Sequence, residues 1–432
     1  MISLDHPYRH YRRYGQKHVS LYLVSVMLLF WSIVEGMTSF ASPIIITQAG
    51  LSKTFMGVIL GTASIAGAGF DFILSKYLKN THFRRVFMLM FIVTAIQPLI
   101  LWKANTIMLF VLAMSLWGLY YDLMSFATFD FVSRKMQEEE HCSSFGVISV
   151  FRSVGYLIAP IIAGMVIGQY ADWHFFALMW VFLGIAFIYY VIIFFSSKKE
   201  RQEYIKEEVH RPLKFLTEVY LWKTIGKTIF PVLLFSTLLF TIDNFFWTIG
   251  PLIAESETLI RPFGGTLLSL YTIPTLFVGW FVGSITKKWG KKRSGLLALL
   301  SGSLILGLLG LTQNPWLLMI IIFISSTLFS FSWPAMKGVY ADYISESPKF
   351  EKEISALEDF AGNIGYIIGP ITAGLAADLL GNFRAFSALG IFCTFVALVL
   401  LKITPREITI KVKESEIKDG YLNIKPTSSV IK

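Results

Sequence analysis

Apolar stretches separated by short polar segments run through almost the whole chain. Twelve of them, each roughly 17 to 27 residues long, are long enough to cross a bilayer as helices. The predicted spans cover residues 19–45, 54–77, 86–102, 106–132, 145–168, 174–196, 229–253, 265–286, 294–312, 316–341, 354–379 and 385–402. Polar residues inside four of these spans recur at helical spacing. Span 1 carries Ser32, Glu35, Ser39 and Ser42, and span 4 carries Ser115, Gly118, Asp122 and Ser125. Span 7 carries Ser236, Phe240, Asp243, Trp247 and Gly250, and span 10 carries Ser326, Ser330, Trp333 and Lys337. Each stripe gives one wet face to an otherwise apolar helix.

Composition agrees with this pattern. Of 432 residues 55% are hydrophobic and 15% charged, where an ordinary soluble domain carries about 25% charged residues. The mean hydropathy is +0.62. The chain reads as an integral, multi-pass membrane protein with no separate soluble domain. Its net charge of +10 is a topology signal. Only Lys53, Lys103, Arg261 and Arg384 fall in the loops on one side, and Arg152 and Lys337 lie inside spans. The other basic residues sit in the two tails and the alternate loops, which places both termini in the cytoplasm and the chain in the cell membrane. That spread over many segments also argues against a nucleic-acid surface. Two cysteines, Cys142 and Cys393, make neither a disulfide framework nor a metal-ligand spacing, so no metal and no cofactor is expected. The first apolar stretch is too long for a cleavable signal and reads as an uncleaved helix.

The chain also repeats itself. Gly155-Tyr-Leu-Ile-Ala-Pro-Ile-Ile-Ala-Gly164 matches Gly365-Tyr-Ile-Ile-Gly-Pro-Ile-Thr-Ala-Gly374, and Asp130-Phe-Val-Ser133 upstream of the first matches Asp342-Tyr-Ile-Ser345 upstream of the second. Glu35 and Asp243 are likewise each followed eight residues later by Pro43 and Pro251. Six spans have been used twice. The expected organisation is a cytoplasmic tail (1–17), a six-helix bundle (18–196), a basic linker with an interfacial amphipathic helix (197–228), a second bundle (229–402) and a cytoplasmic tail (403–432). Gly226-Lys227-Thr228 in the linker ends like a phosphate loop, but the first glycine of that motif would be residue 221, which is Leu. Nucleotide hydrolysis is not supported.

Twelve spans as six plus six with a long basic central loop resemble the major facilitator superfamily over residues 18 to 402. That family's loop motif, Gly-x-x-x-Asp-basic-x-Gly-basic-basic, is matched by Gly283-Ser-Ile-Thr-Lys287-Lys288-Trp-Gly290-Lys291-Lys292, with Lys287 at the acidic position. The copy after span 2 departs further, with Asp71 at the first glycine, Ser75 at the acid and Leu78 at the second glycine. The resemblance implies an all-α membrane fold of two pseudo-symmetric six-helix bundles, with spans 1, 4, 7 and 10 lining a central cavity. It also implies a monomer that moves a small molecule by alternating access, without being an enzyme.

An ionisable side chain at membrane depth costs roughly 3 kcal/mol to insert, so Glu35, Asp243 and Asp122 are the candidate proton- or substrate-binding groups. A carboxyl in a low-dielectric cavity can exchange a proton as its surroundings change. Tyr121, Trp247 and Trp333 stand near these charges and could stack on a sugar ring or an organic cation. The structural alternative is that the acids are paired with Lys337 or bonded to hydroxyls. Asp71, Asp130, Arg152, Glu358 and Asp359 gather toward the cytoplasmic helix ends. The expected gating pairs are Arg152 with Asp71 or Asp130, and Lys337 with Glu358 or Asp359, beside the loop residues Lys287 and Lys288.

The function expected from these residues is secondary transport coupled to a proton or to sodium, with export of a drug-like or cationic small molecule ahead of sugar or polar-metabolite uptake. An intramembrane aspartyl protease is a remote alternative. Tyr121-Asp122 and Gly67-Ala-Gly-Phe-Asp71 resemble that family's motifs, but they occur in the reverse order and with an extra residue before Asp71.

Overall fold

The computed structural model describes residues 5–77, 81–136, 140–167, 171–196, 215–256 and 264–405. The helices are α1 (Asp5–Gln48), α2 (Lys53–Tyr77), α3 (Phe83–Lys103), α4 (Ile107–Lys135), α5 (His141–Val166), α6 (Trp173–Ser196), α7 (Phe215–Ser256), α8 (Gly264–Thr272), α9 (Gly279–Trp289), α10 (Lys291–Gly307), α11 (Pro315–Glu346), α12 (Glu351–Leu380) and α13 (Asn382–Ile403). No strand occurs among the described residues. In hydrocarbon every backbone group has to be satisfied within its own segment, and helices do this. Their ends are set by ordinary signals. Thr106 accepts from the Leu109 amide at the start of α4, and Asn314 accepts from the Trp316 and Leu317 amides ahead of Pro315 in α11. Gly290 and Gly381, at φ of 82° and 83°, make the tight α9–α10 and α12–α13 turns.

Among the described residues eleven helices are long and apolar enough to span a membrane, and the α8–α9 pair, bent by 57°, supplies a twelfth, broken span. The expected continuous helix over 265–286 is thus corrected. Pro274 has no amide hydrogen and cannot bond the Leu270 carbonyl, so a short 3-10 turn (Ile273–Leu276) interrupts the helix. The hydroxyl of Ser326 on α11 donates to that carbonyl at 3.4 Å while also donating to Phe323 at 3.0 Å. In the first half α2 has no proline inside it and runs unbroken. Ser326→Ala is expected to lower the stability of purified protein by about 1 kcal/mol in thermal unfolding, with Ser326→Thr close to wild type.

The two halves meet along α2 with α12 and α5 with α8, and glycine permits both contacts. A Cβ on Gly57 would lie 2.1 Å from the Pro370 carbonyl oxygen, and one on Gly265 would lie 1.9 Å from that of Pro160. The two contacts are copies of one another. Ser269 on α8 donates to the Leu157 carbonyl on α5 at 2.7 Å, and the other hydrogen bonds named here between the halves gather at the end remote from the chain termini, called here the far end. Asp378 accepts from the Lys53 amide (3.2 Å), the Thr54 amide (2.8 Å) and the Thr54 hydroxyl (2.6 Å). The Lys53 ammonium donates to Asn382 (2.7 Å), and Gln48 donates to Glu255 (2.7 Å).

At the opposite end the repeated aspartates tie neighbouring helices within each half. Asp130 accepts from the Phe83 amide at the start of α3 (2.8 Å) and from Arg134 (2.5 Å), and Asp342 pairs with Lys291 at the start of α10 (2.5 Å). Residues 197–214 of the expected linker and 406–432 of the C-terminal tail lie outside the described residues.

Candidate functional site

Between the halves lies a cavity of about 440 Å³ lined by residues of α1, α2, α4, α5, α7, α8, α11 and α12. Six residues singled out from the sequence meet on its wall: Glu35, Tyr121, Asp122, Asp243, Trp247 and Trp333. Helical periodicity explains why. Glu35 and Ser39 are one turn apart on α1, Trp117, Gly118, Tyr121 and Asp122 share a face of α4, and Asp243 and Trp247 are one turn apart on α7. Not every member of the polar stripes faces the cavity. Ser42 bonds back to the Thr38 carbonyl, and Ser236 bonds the Tyr340 hydroxyl within the second half.

Arg152 is placed differently from the expectation. It lies on the cavity wall with its guanidinium 3.8 Å from Glu35, and not in a pair with Asp130, whose oxygens go to Arg134 and the Phe83 amide. The side chain of Asp71 lies outside the described residues. An arginine near the inner third of a helix can reach several ångströms along it, and the buried carboxylate attracts it. Glu35 is only 3% exposed. The guanidinium stands 5.6 Å over the Tyr121 ring and 5.9 Å over the Tyr156 ring, and it reaches the Tyr156 hydroxyl at 3.5 Å.

Asp243 has a different environment. It accepts from the Tyr271 hydroxyl on α8 at 2.8 Å, and the Tyr271 ring stacks on Phe246 with centroids 4.1 Å apart. Trp333 packs edge-on against Phe240 at 4.7 Å, Phe240 meets Tyr366 at 5.0 Å, and Trp247 meets Tyr156 across the two halves at 6.1 Å. Asp122 approaches α2 so closely that its Oδ2 would lie 2.8 Å from a Cβ on Gly67. The cavity wall therefore carries three carboxyl groups, one guanidinium and a belt of aromatic rings.

The remaining candidates are away from the cavity. Lys337 pairs with Glu358 as expected, while Asp359 is exposed. Lys287 and Lys288 are exposed on the last turn of α9. Sequence reasoning missed Tyr156, Tyr271 and Tyr366 as wall residues. Tyr156 and Tyr366 were visible as an identical pair in the repeat, and Tyr271 lies on the helix whose break was not foreseen.

Comparison with known proteins places this geometry in a family. A stretch of 182 residues is 26% identical to the Na(+), Li(+), K(+)/H(+) antiporter of Planococcus maritimus, covering 40% of this chain and 42% of the antiporter. The chain thus matches less than half the length of that curated relative. Among solved structures, a bacterial homolog of the human lysosomal transporter Spinster, inward-facing and unoccupied, superposes with a TM-score of 0.70 at 12% identity, over 94% of this chain and 99% of that one. The nucleoside transporter NupG superposes with a TM-score of 0.66 at 12% identity, over 89% of this chain and 97% of that one. At such identities these structures speak to the fold alone. The sequence model described as Major Facilitator Superfamily matches residues 23–258 and 229–431, nearly the whole chain. With that match and a helical fold shared with known transporters, the chain belongs to the Major Facilitator Superfamily of multi-pass membrane transporters.

Proposed function

We propose that the protein is a proton-coupled secondary transporter of the cell membrane that exports a cationic small molecule, its tails in the cytoplasm and its far end outside. The observation carrying this reading is the charge of the cavity wall. Glu35, Asp122 and Asp243 outnumber the single base Arg152, and the aromatic rings of Tyr121, Tyr156, Tyr271, Trp247, Tyr366 and Trp333 present faces that favour a cation. An anionic cargo would need the opposite balance. The similarity to a monovalent cation/proton antiporter over part of the chain supports the same class.

Alternating access supplies the mechanism. Two bundles rock about a midplane site: a carboxyl group that loses its proton to one side becomes the anion that receives a cation from that same side, and after reorientation a proton from the other side displaces the cation. Proton and cargo then compete for the same oxygens, and their competition couples the two gradients. Glu35, Asp243 and Asp122 are the acids from which the exchanging group is drawn.

The test is uptake of ethidium, tetraphenylphosphonium, sodium and a panel of sugars into proteoliposomes under an imposed pH gradient. Wild type is expected to concentrate a cation against its gradient. Asp243→Asn and Glu35→Gln are expected to reduce uphill movement at least tenfold while leaving downhill exchange measurable. If both variants concentrated cargo as fast as wild type, or if only neutral sugars moved and without response to pH, the reading would fall.

A further inference from the structure

The repeat allows each residue around Glu35 to be paired with its counterpart around Asp243. Gly155 and Gly365 both sit against the helix that bears the acid. A Cβ on Gly155 would lie 2.9 Å from the Cβ of Ser32, and one on Gly365 would lie 2.5 Å from the Cβ of Phe240. Ser32 therefore corresponds to Phe240, just as Glu35 corresponds to Asp243 and Tyr156 to Tyr366. One turn further on, Gly36 faces Ala159 and Gly369 faces Asn244. In this register Arg152 corresponds to Gly362.

Bulk has changed sides between the copies. In the first half the acid-bearing helix offers small Ser32 and α5 offers large Arg152. In the second half α7 offers large Phe240, and α12 offers Gly362, where a Cβ would lie 3.1 Å from the Phe240 ring. The space filled by a guanidinium in one copy is filled by a benzene ring in the other. Around Glu35 the result is a carboxylate and two tyrosine rings already holding a cation, at 3.8, 5.6 and 5.9 Å. The hold is loose, since 3.8 Å exceeds the roughly 2.7–2.9 Å of a charge-assisted hydrogen bond. Glu35 Oε2 and Arg152 Nε are both buried without a hydrogen bond among the described residues. Asp243 has no such cationic neighbour among the described residues, and it accepts from the neutral Tyr271 hydroxyl.

We propose that Arg152 is a tethered cation occupying a cation cage built by Glu35, Tyr121 and Tyr156 in the cavity that Asp243 also lines, so that an exchangeable monovalent cation is received at Asp243 alone. The cage is sized for a guanidinium-like ion. For the work of the Asp243 site the inference rests on the cation reading given above. The assignment of what Arg152 fills does not depend on it.

Equilibrium binding of radiolabelled guanidinium to purified full-length protein, at low-millimolar concentration and with no gradient, tests this. Wild type is expected to bind one guanidinium per chain, lost in Asp243→Asn and kept in Glu35→Gln. Arg152→Gly, which gives the first half the residue of the second, is expected to bind two, and Glu35→Gln in that background returns the number to one. Binding that stays at one in Arg152→Gly overturns the proposal. So does a wild type that binds none, or one whose site is lost in Glu35→Gln and kept in Asp243→Asn.

Removing the guanidinium leaves a buried carboxylate alone, so Arg152→Gly can fail to fold. Recovery of folded Arg152→Gly when it is purified with guanidinium supports the cage. Failure to recover it even then, while the double variant with Glu35→Gln folds, shows that a free ion cannot replace the side chain and overturns the proposal. A wild type that binds one guanidinium at Asp243 but moves no cation under a pH gradient would sink the transport reading and leave the cage standing.

Discussion

Alanine at Gly265 or at Gly57 is expected to cut transport at least tenfold and to expose the cavity to the far side. At both positions the new methyl group would fall within about 2 Å of a carbonyl oxygen on the opposite half, Pro160 in one case and Pro370 in the other. Backbone cannot step aside as a flexible side chain can, so the halves must separate where α5 meets α8 or α2 meets α12. Overpacking of this kind costs about 1–3 kcal/mol, which corresponds to roughly a 5- to 150-fold shift in the balance between far-closed and far-open states. The measurement is labelling of a cavity cysteine, Thr248→Cys with Cys142 and Cys393 replaced by serine, by an impermeant maleimide applied from the far side. Labelling at the wild-type rate in both glycine variants would show that the contacts do not hold the seal. Gly69 and Gly279 supply controls, because nothing lies within 4 Å of a Cβ built at either.

Asp378→Ala is the second substitution expected to open the far end. The first amides of any helix lack intrahelical partners. In α2 the work is divided between the halves: Ser52 in the same chain segment accepts from the Phe55 amide, and Asp378 from across the interface takes the Lys53 and Thr54 amides together with the Thr54 hydroxyl. A carboxylate there also meets the positive end of the helix dipole. The residue is exposed, so solvent weakens each bond, and the sum is about 1–2 kcal/mol, or roughly a 5- to 30-fold increase in far-side labelling. Asp378→Asn keeps an oxygen for one amide and is expected to fall between alanine and wild type. Melting temperature should change little, because the bonds lie at an exposed edge outside the buried core. A large loss of stability with unchanged labelling would assign Asp378 to folding and not to the gate.

The helices and the main wall residues were legible because two periodicities point the same way. Span length fixes which stretches are helices, and the 3.6-residue repeat puts Glu35 with Ser39, and Asp243 with Trp247, on one face. The internal duplication makes Glu35 and Asp243 a pair on the sequence alone. Two features escaped. Depth counted from the helix end placed Arg152 at a gate, but a side chain that long is positioned by the charge it can reach, and the sequence does not say that α1 and α5 are neighbours. The break at Pro274 escaped because mid-helix proline can kink a helix or stop it. The outcome here is tied to a serine on another helix able to take the freed carbonyl.

That break makes the two seals mechanically unlike although they are copies in sequence. On one side an unbroken 25-residue helix, α2, lies along α12. On the other, the partner of α5 is α8, a nine-residue stub jointed to α9. A rod transmits a tilt from end to end, whereas a jointed rod can yield at the joint. The far end can therefore loosen at α8 while α9 keeps its place in the second bundle, so the opening is expected to begin on the α5 side, with the α2 side following as the hinge.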